Sequence, residues 1–324
     1  MRITNSMMLS SMMRNMNKNL SRMSKTEEML STGKKFSLPS DDPIGVSRSL
    51  RLNTDVANME QYKRNTEDAQ SWMETTEMAV SKLTDIFHRA KELTTQAANE
   101  TNSVDERKAI AAEIDQLKEQ VISIGNTTYA GSYIFTGYKT NKPLFDEDGK
   151  YSLKADASDP AQALKSTEDI EFNVGIGDRM TINFTAQAIF GKVAASGDLD
   201  DPIDKTTDIA TSQASHMIRV FEQLVTDLEA DNTAGINSGA ERLDVHFNNL
   251  NAIKAEIGVK TNRLDLTINR IDDDTLNLKN LLSKNEDADM AEVIMNLKMQ
   301  ESVYQASLSG GARIIQPTLI DFLR

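Results

Sequence analysis

With 324 residues the chain is long enough for two or three domains and a sizeable core, and its net charge of -13 argues against a sequence-independent grip on phosphate backbones. It contains no cysteine, which excludes disulfides, thiolate metal ligands and a cysteine nucleophile together. Its six prolines stand at 39, 43, 143, 160, 202 and 317, so residues 44–142 and 203–316 are free of the strongest helix breaker and predict long helices on either side of a different middle.

The first predicted element is an amphipathic helix. Leu9, Met13, Met16, Leu20, Met23 and Leu30 recur at spacings of four and three with one skip at Glu27, the pattern of a coiled-coil seam. The first 35 residues are basic, with Arg2, Arg14, Lys18, Arg22, Lys25, Lys34 and Lys35 against Glu27 and Glu28. A basic start rich in Met and Ser also fits a membrane-surface helix or an organelle transit peptide. A disposable targeting segment, however, leaves unexplained the matching stripe at the far end. No apolar run of secretory-signal type stands near the start and none is long enough to cross a membrane, so export is expected to need a dedicated route.

Gly33 is placed as a helix C-cap, and Asp42 followed by Pro43 as an N-cap and first-turn pair, with a loop between. The second helix is predicted from Pro43 to about Asn99, in a register of Trp72, Thr76, Ala79, Leu83, Ile86, Ala90, Leu93 and Ala97. Ser103-Val104-Asp105-Glu106 forms a capping box for a third helix, with Ile110, Ile114, Leu117, Val121 and Ile124 as its stripe and an end near Gly125.

Between Thr127 and Tyr151 aromatic residues gather around Gly131, Gly137 and Gly149, which predicts a hairpin-like segment. Residues 143–205 carry Pro, Gly and Asp punctuation, and alternation over 170–174 and 181–185, joined through 175–179, predicts a strand pair. A small β-rich domain inserted between helical arms is the expectation. The return arm starts near Asp208 with Ala210, Ala214, Met217, Phe221, Leu224 and Leu228, turns at 231–235, and restarts at a second capping box, Ser238-Gly239-Ala240-Glu241. The next seam holds Ile257, Leu264, Ile268, Ile271, Leu278 and Leu282, with Thr261, Thr275 and Asn285 in polar slots. Its register slips at 285–289, mirroring the loop at 31–45.

A terminal stripe follows: Met290, Ile294, Leu297, Tyr304, Leu308 and Ile315, with Glu301 and Gly311 inside the seam. Neither end has an adjacent apolar surface to cover it, and six apolar side chains do not offset the entropy of ordering some twenty residues. The two stripes are therefore expected to pair and to complete their burial by assembly with other copies.

Chemistry finds little support. His88, His216 and His246 lie far apart in sequence and form no His-Glu-x-x-His pattern. Asp146-Glu147-Asp148-Gly149 lacks the later Glu of a calcium loop and fits a polar turn. Asp198, Asp200, Asp201 and Asp204, like 272–274, fit solvated linker or helix surface. Gly175-Ile176-Gly177 lacks the third glycine of a dinucleotide loop. No cofactor, metal site or catalytic residue is expected.

Five stretches carry a family likeness: Met1-Arg2-Ile3-Thr4-Asn5-Ser6-Met7, residues 30–35 (Leu-Ser-Thr-Gly-Lys-Lys), 39–43 (Pro-Ser-Asp-Asp-Pro), 131–137 (Gly-Ser-Tyr-Ile-Phe-Thr-Gly) and 317–323 (Pro-Thr-Leu-Ile-Asp-Phe-Leu). On them the chain resembles the flagellin superfamily, and within it the hook-filament junction members. Proline after the Asp pair and the 133–137 stretch are more similar to those members than to filament flagellins. The likeness covers residues 1–145 and 206–324; the middle matches only in β character.

The resemblance implies a mainly α fold, a long antiparallel helical bundle or coiled coil built from both chain ends. Its expected parts are a terminal assembly domain (1–42 with 286–324), a long-helix domain (43–142 with 206–285) and an inserted β-rich outer domain (143–205). It also implies a secreted, non-enzymatic component of the bacterial flagellum, exported through the flagellar type III apparatus with an export chaperone. Such a subunit would assemble with copies of itself in a ring between hook-associated protein 1 and flagellin. The expected assembly interface comprises Leu9, Met13, Met16, Leu20, Met23, Leu30, Met290, Ile294, Leu297, Tyr304, Leu308 and Ile315, to which the resemblance adds Leu319, Phe322 and Leu323. A short filament flagellin, a cytosolic coiled-coil scaffold or membrane-surface adaptor, and an enzyme hosted in the inserted domain stand as alternatives.

Overall fold

Long proline-free segments with capped ends become long helices here, and their caps set where each begins. The computed structural model describes residues 5–99, 103–152, 168–192, 199 and 215–315. Seven helices are described: α1 (Asn5–Thr32), α2 (Pro43–Ala97), α3 (Val104–Gly125), α4 (Ala186–Phe190), α5 (His216–Glu229), α6 (Thr233–Glu286) and α7 (Met290–Ile315). Two small antiparallel sheets complete the described residues, β1 (Thr128–Tyr129) with β2 (Ser132–Tyr133) and β3 (Glu171–Gly175) with β4 (Asp178–Thr181).

Of the three predicted helix N-caps those of α2 and α3 hold, and α7 has a cap at Asp289 that its apolar stripe did not point to. Asp42 Oδ1 accepts from the Ile44 and Gly45 N–H groups at 3.1 and 3.0 Å, opening α2. Ser103 and Glu106 exchange both bonds of a capping box at α3. Asp289 accepts from Ala291 and Glu292 at the head of α7. The third is a correction: α6 is capped not by Ser238 but six residues earlier, where Asn232 Oδ1 accepts from Gly235 N at 3.2 Å, and the helix starts at Thr233. Asp231 makes that earlier turn possible by taking a left-handed backbone, φ +56°, while pairing with the buried Arg107.

A strand pair forms, but its second strand is Asp178–Thr181 rather than 181–185, so only Thr181 of the predicted second strand lies in it and the connection is shorter than predicted. Glu171 stands opposite Thr181 and Phe172 opposite Met180, and Gly177 turns the chain at φ +74°. Past Thr181 one more main-chain bond joins the pair, Ile182 N to the Ile170 carbonyl at 3.1 Å, and then the Asn183 side chain takes over, accepting from Ile170 N at 2.8 Å and donating to the Glu168 carbonyl at 2.7 Å. Residues 186–190, beyond it, are helical.

The chain divides into two compact units, Met1–Met59 with Asp273–Arg324, and Glu60–Asp272. The second unit holds a continuous apolar cluster that runs from Ala69 to Leu264. In it Met73, Val80, Leu83 and Phe87 of α2 meet Ile114 and Val121 of α3, Phe221 of α5 and Leu250, Ile257 and Leu264 of α6. Phe135, Phe145, Tyr151 and Phe190 join the same cluster, with Phe190 edge-on to both Phe135 and Phe145. Buried side chains from the middle of the sequence thus share the core of the long helices.

Candidate assembly interface

The Met1–Met59 and Asp273–Arg324 unit is organised by a crossing of its two loops. Lys35 N donates to the Glu286 carbonyl at 2.7 Å and Ala288 N to the Gly33 carbonyl at 2.8 Å, so the 31–45 loop and the 285–289 slip are bonded to each other. Gly33, at φ +71°, ends α1 in the left-handed turn this crossing needs. Lys34 pairs with the buried Glu286, and Asn285 Nδ2 donates to the Gly45 carbonyl and Ser49 Oγ at 2.9 and 2.8 Å. Lys25 reaches Asp41 at 2.7 Å and, by that hydrogen bond, holds its carboxyl below the usual range.

From this crossing α1 and α7 run back antiparallel. Thr26 Oγ1 donates to Gln300 Oε1 at 3.1 Å near the crossing, and Met12 lies over Gly311 near the far end. The inward row of α1 is Met12, Met16, Asn19, Met23, Thr26 and Leu30; that of α7 is Val293, Leu297, Gln300, Tyr304, Ser307 and Gly311. Both rows keep spacings of three and four.

Half of the predicted seam therefore turns inward and half outward. Met16, Met23, Leu30, Leu297 and Tyr304 are wholly or half buried. Met13 and Leu20, 49% and 48% exposed, and Met290, Ile294 and Leu308 face solvent in the single chain. The predicted stripe is wider than one partner helix can cover, and polar Asn19, Thr26, Gln300 and Ser307, unmarked by an apolar pattern, take inward places. Met7, Met8, Met295, Met299 and Val303 are exposed as well. The side chains of Leu9 and Ile315, and Leu319, Phe322 and Leu323 altogether, lie outside the described residues. A cavity of about 260 Å³, lined by Phe36, Val46, Ser49, Leu50 and Glu286, opens beside the crossing.

Elsewhere, His216 Nδ1 and His246 Nε2 are 2.8 Å apart in the core, although thirty residues separate them in sequence. His88 is exposed, beside Glu92. The 146–149 segment is a polar turn in which Asp146 Oδ1 accepts from Lys150 N. Asp272 pairs with Lys63, while Asp198, Asp200, Asp201 and Asp204 lie outside the described residues. Among the described residues no group of three His, Cys, Asp or Glu side chains is placed to hold a metal ion, and no helix is long and apolar enough to cross a membrane.

Comparison with known proteins places both chain ends in one group. Residues 3–140 match the bacterial flagellin N-terminal helical region and residues 241–323 the bacterial flagellin C-terminal helical region. Flagellar hook-associated protein 3 of Escherichia coli K12 is 28% identical over 312 residues, 95% of each chain. Its Salmonella typhimurium counterpart is 27% identical over 315 residues, again 95% of each. In fold, the flagellar junction protein FlgL from Legionella pneumophila superposes with a TM-score of 0.54 at 15% identity, covering 74% of this chain and all of that one.

Proposed function

We propose that this chain, which belongs to the flagellin family, is the structural subunit that joins hook to filament in the bacterial flagellum, by self-assembly through its terminal helices. One observation carries the mechanism: α1 and α7 pair with each other yet leave a second apolar row, Met13, Leu20, Met290, Ile294 and Leu308, in solvent. A row of that kind is stable only when covered, and further copies supply the cover. Long helices suit the task because one seam of several turns can meet two neighbours with staggered knobs. Methionines at 7, 8, 13, 295 and 299 adapt one surface to unlike partners.

In this reading residues 1–42 with 286–324 form the assembly domain, to which Leu9, Ile315, Leu319, Phe322 and Leu323 also contribute. Residues 43–142 with 206–285 form the long-helix domain, and 143–205 the outer part. The partners are further copies in a ring, hook-associated protein 1 on the hook side and flagellin on the filament side. Delivery runs through the flagellar export apparatus with a dedicated chaperone, and the assembled protein is extracellular. Its role is mechanical, without catalysis.

Deleting the gene in its source bacterium tests this. Bare hooks with flagellin shed into the medium are expected. Normal hooks with little flagellin made or shed would instead identify a filament subunit, and intact flagella would overturn the flagellar role.

A further inference from the structure

We propose that copies of this chain pack side by side through two different faces of the Glu60–Asp272 unit, the outer row of α6 on one copy meeting the outer row of α2 on the next. This rests on the junction-subunit reading and names its lateral contact.

Within one chain α2 and α6 run antiparallel in constant register. Lys63 pairs with Asp272 at 2.6 Å, Lys254 Nζ donates to Ser81 Oγ at 3.2 Å, and Lys91 pairs with Asp244 at 2.6 Å. Eighteen residues forward on α2, from 63 to 81, are eighteen back on α6, and the next ten match likewise. Both helices bury one row in the shared core, so each keeps the opposite row in solvent.

The two outer rows are chemically unlike, and they fit. On α6, Val259 and Leu266 are 69% and 71% exposed, with Arg263 and Arg270 beside them. On α2, Met78 is 59% exposed, with Glu74 and Glu67 following toward the N-terminus. Copies standing in the same orientation at the same height bring these rows together antiparallel. Arg270 then lies beside Glu67, Arg263 beside Glu74 and Val259 beside Met78. Each pairing falls two residues from the level set by the intrachain register, about 3 Å at 1.5 Å per residue. One turn further the charges reverse on both sides, with Glu256 beside Lys82. Leu266 falls opposite the small Ser71, whose hydroxyl is turned to its own helix at the Glu67 carbonyl.

Charge complementarity selects this partner over a two-fold pairing of α6 with α6, which in parallel register would set Arg263 and Arg270 beside their own copies. Both arginines already reach Asp178, at 2.8 and 3.8 Å, and Glu256 reaches Lys260 at 3.1 Å. A guanidinium has five donors, so the second carboxylate adds to the first. Because the contact joins unlike faces, it is heterologous and repeats from copy to copy, as a ring requires.

The chain has no cysteine, so thiol crosslinks can form only where cysteines are introduced. In isolated flagella a Met78→Cys/Val259→Cys chain is expected to give a ladder of crosslinked multimers on oxidation, whereas either cysteine alone gives none. Adding Glu74→Arg is expected to abolish the ladder and reduce the number of attached filaments at least severalfold. Arg263→Glu in that same chain restores both. Normally attached filaments without a ladder would overturn the lateral contact and leave the junction role standing. Crosslinked dimers from Val259→Cys alone would overturn it in favour of a two-fold contact. The gene deletion tests the junction role separately.

Discussion

Gly125 closes α3 against the ring of Phe145, and a Cβ there would stand 2.6 Å from Phe145 Cδ2 with Phe190 at 3.4 Å behind. Both rings are fully buried and have nowhere to move. Gly125→Ala is therefore expected to destabilise the Glu60–Asp272 unit by about 1–3 kcal/mol, measured by chemical denaturation. Buried His216, beside His246, sets a pH dependence in the same unit. Burial chiefly, and the nearby Arg242 charge, hold the His216 imidazole below its ordinary titration range, against the opposing Leu199 carbonyl. An unfolded histidine takes a proton near pH 6.5, so the stability this group contributes is complete above about pH 6.5 and is lost as pH falls below it. A lower melting temperature at about pH 5 than at pH 7.5 is expected, with a smaller difference in His216→Gln, measured by circular dichroism. The pair was not legible in the sequence, because a contact between residues thirty apart on different helices leaves no spacing signal. The Ser103–Glu106 capping box was legible, because both of its bonds lie within four residues.

At the scale of elements, the crossing between the 31–45 loop and the 285–289 slip is where local signals and tertiary contact agree. Asn285, a polar intruder in an apolar seam, bonds both Gly45 and Ser49 of α2. Asn285→Ala removes two hydrogen bonds from a half-buried site and is expected to cost about 1–2 kcal/mol. Limited proteolysis would register it as faster cutting within 31–45 and 285–289, with the Glu60–Asp272 unit as protected as before. Helix existence and facing were readable because 3.6-residue periodicity survives over long segments. Less readable was the cap that α6 uses. Ser238 satisfies the local pattern, but Asn232 sits where Arg107 and Asp231 have already turned the chain. The second strand was placed three residues too late for a similar reason, since alternation over 181–185 suggests a strand there while the chain already turns at Gly177 and pairs through Asp178–Thr181. In the α1–α7 seam the period was right and the rotation half right, because an apolar stripe wide enough for two partners does not say which of its rows the first partner takes.

Across the whole molecule the apolar core is unevenly shared. The continuous cluster lies entirely between Ala69 and Leu264, whereas the only buried large apolar side chains among the described residues of the Met1–Met59 and Asp273–Arg324 unit are Val293 and Leu297. A helix pair with so little buried surface opens at low free energy while the larger unit stays closed. Amide hydrogen exchange on the unassembled chain is accordingly expected to be fast in α1 and α7 and slow in α2, α3 and α5. Removing residues 290–324 should then leave the melting temperature of the Glu60–Asp272 unit unchanged within a few degrees while abolishing filament attachment. Protection of α1 and α7 equal to that of α2 in the free chain would sink this division of labour, and so would a truncated chain that still attaches filaments. The imbalance has a physical use in a subunit that matures by assembly. Ends that order fully only when neighbours cover Met13, Leu20, Met290, Ile294 and Leu308 couple folding to incorporation, so the free energy that completes each subunit is the same free energy that joins it to the next.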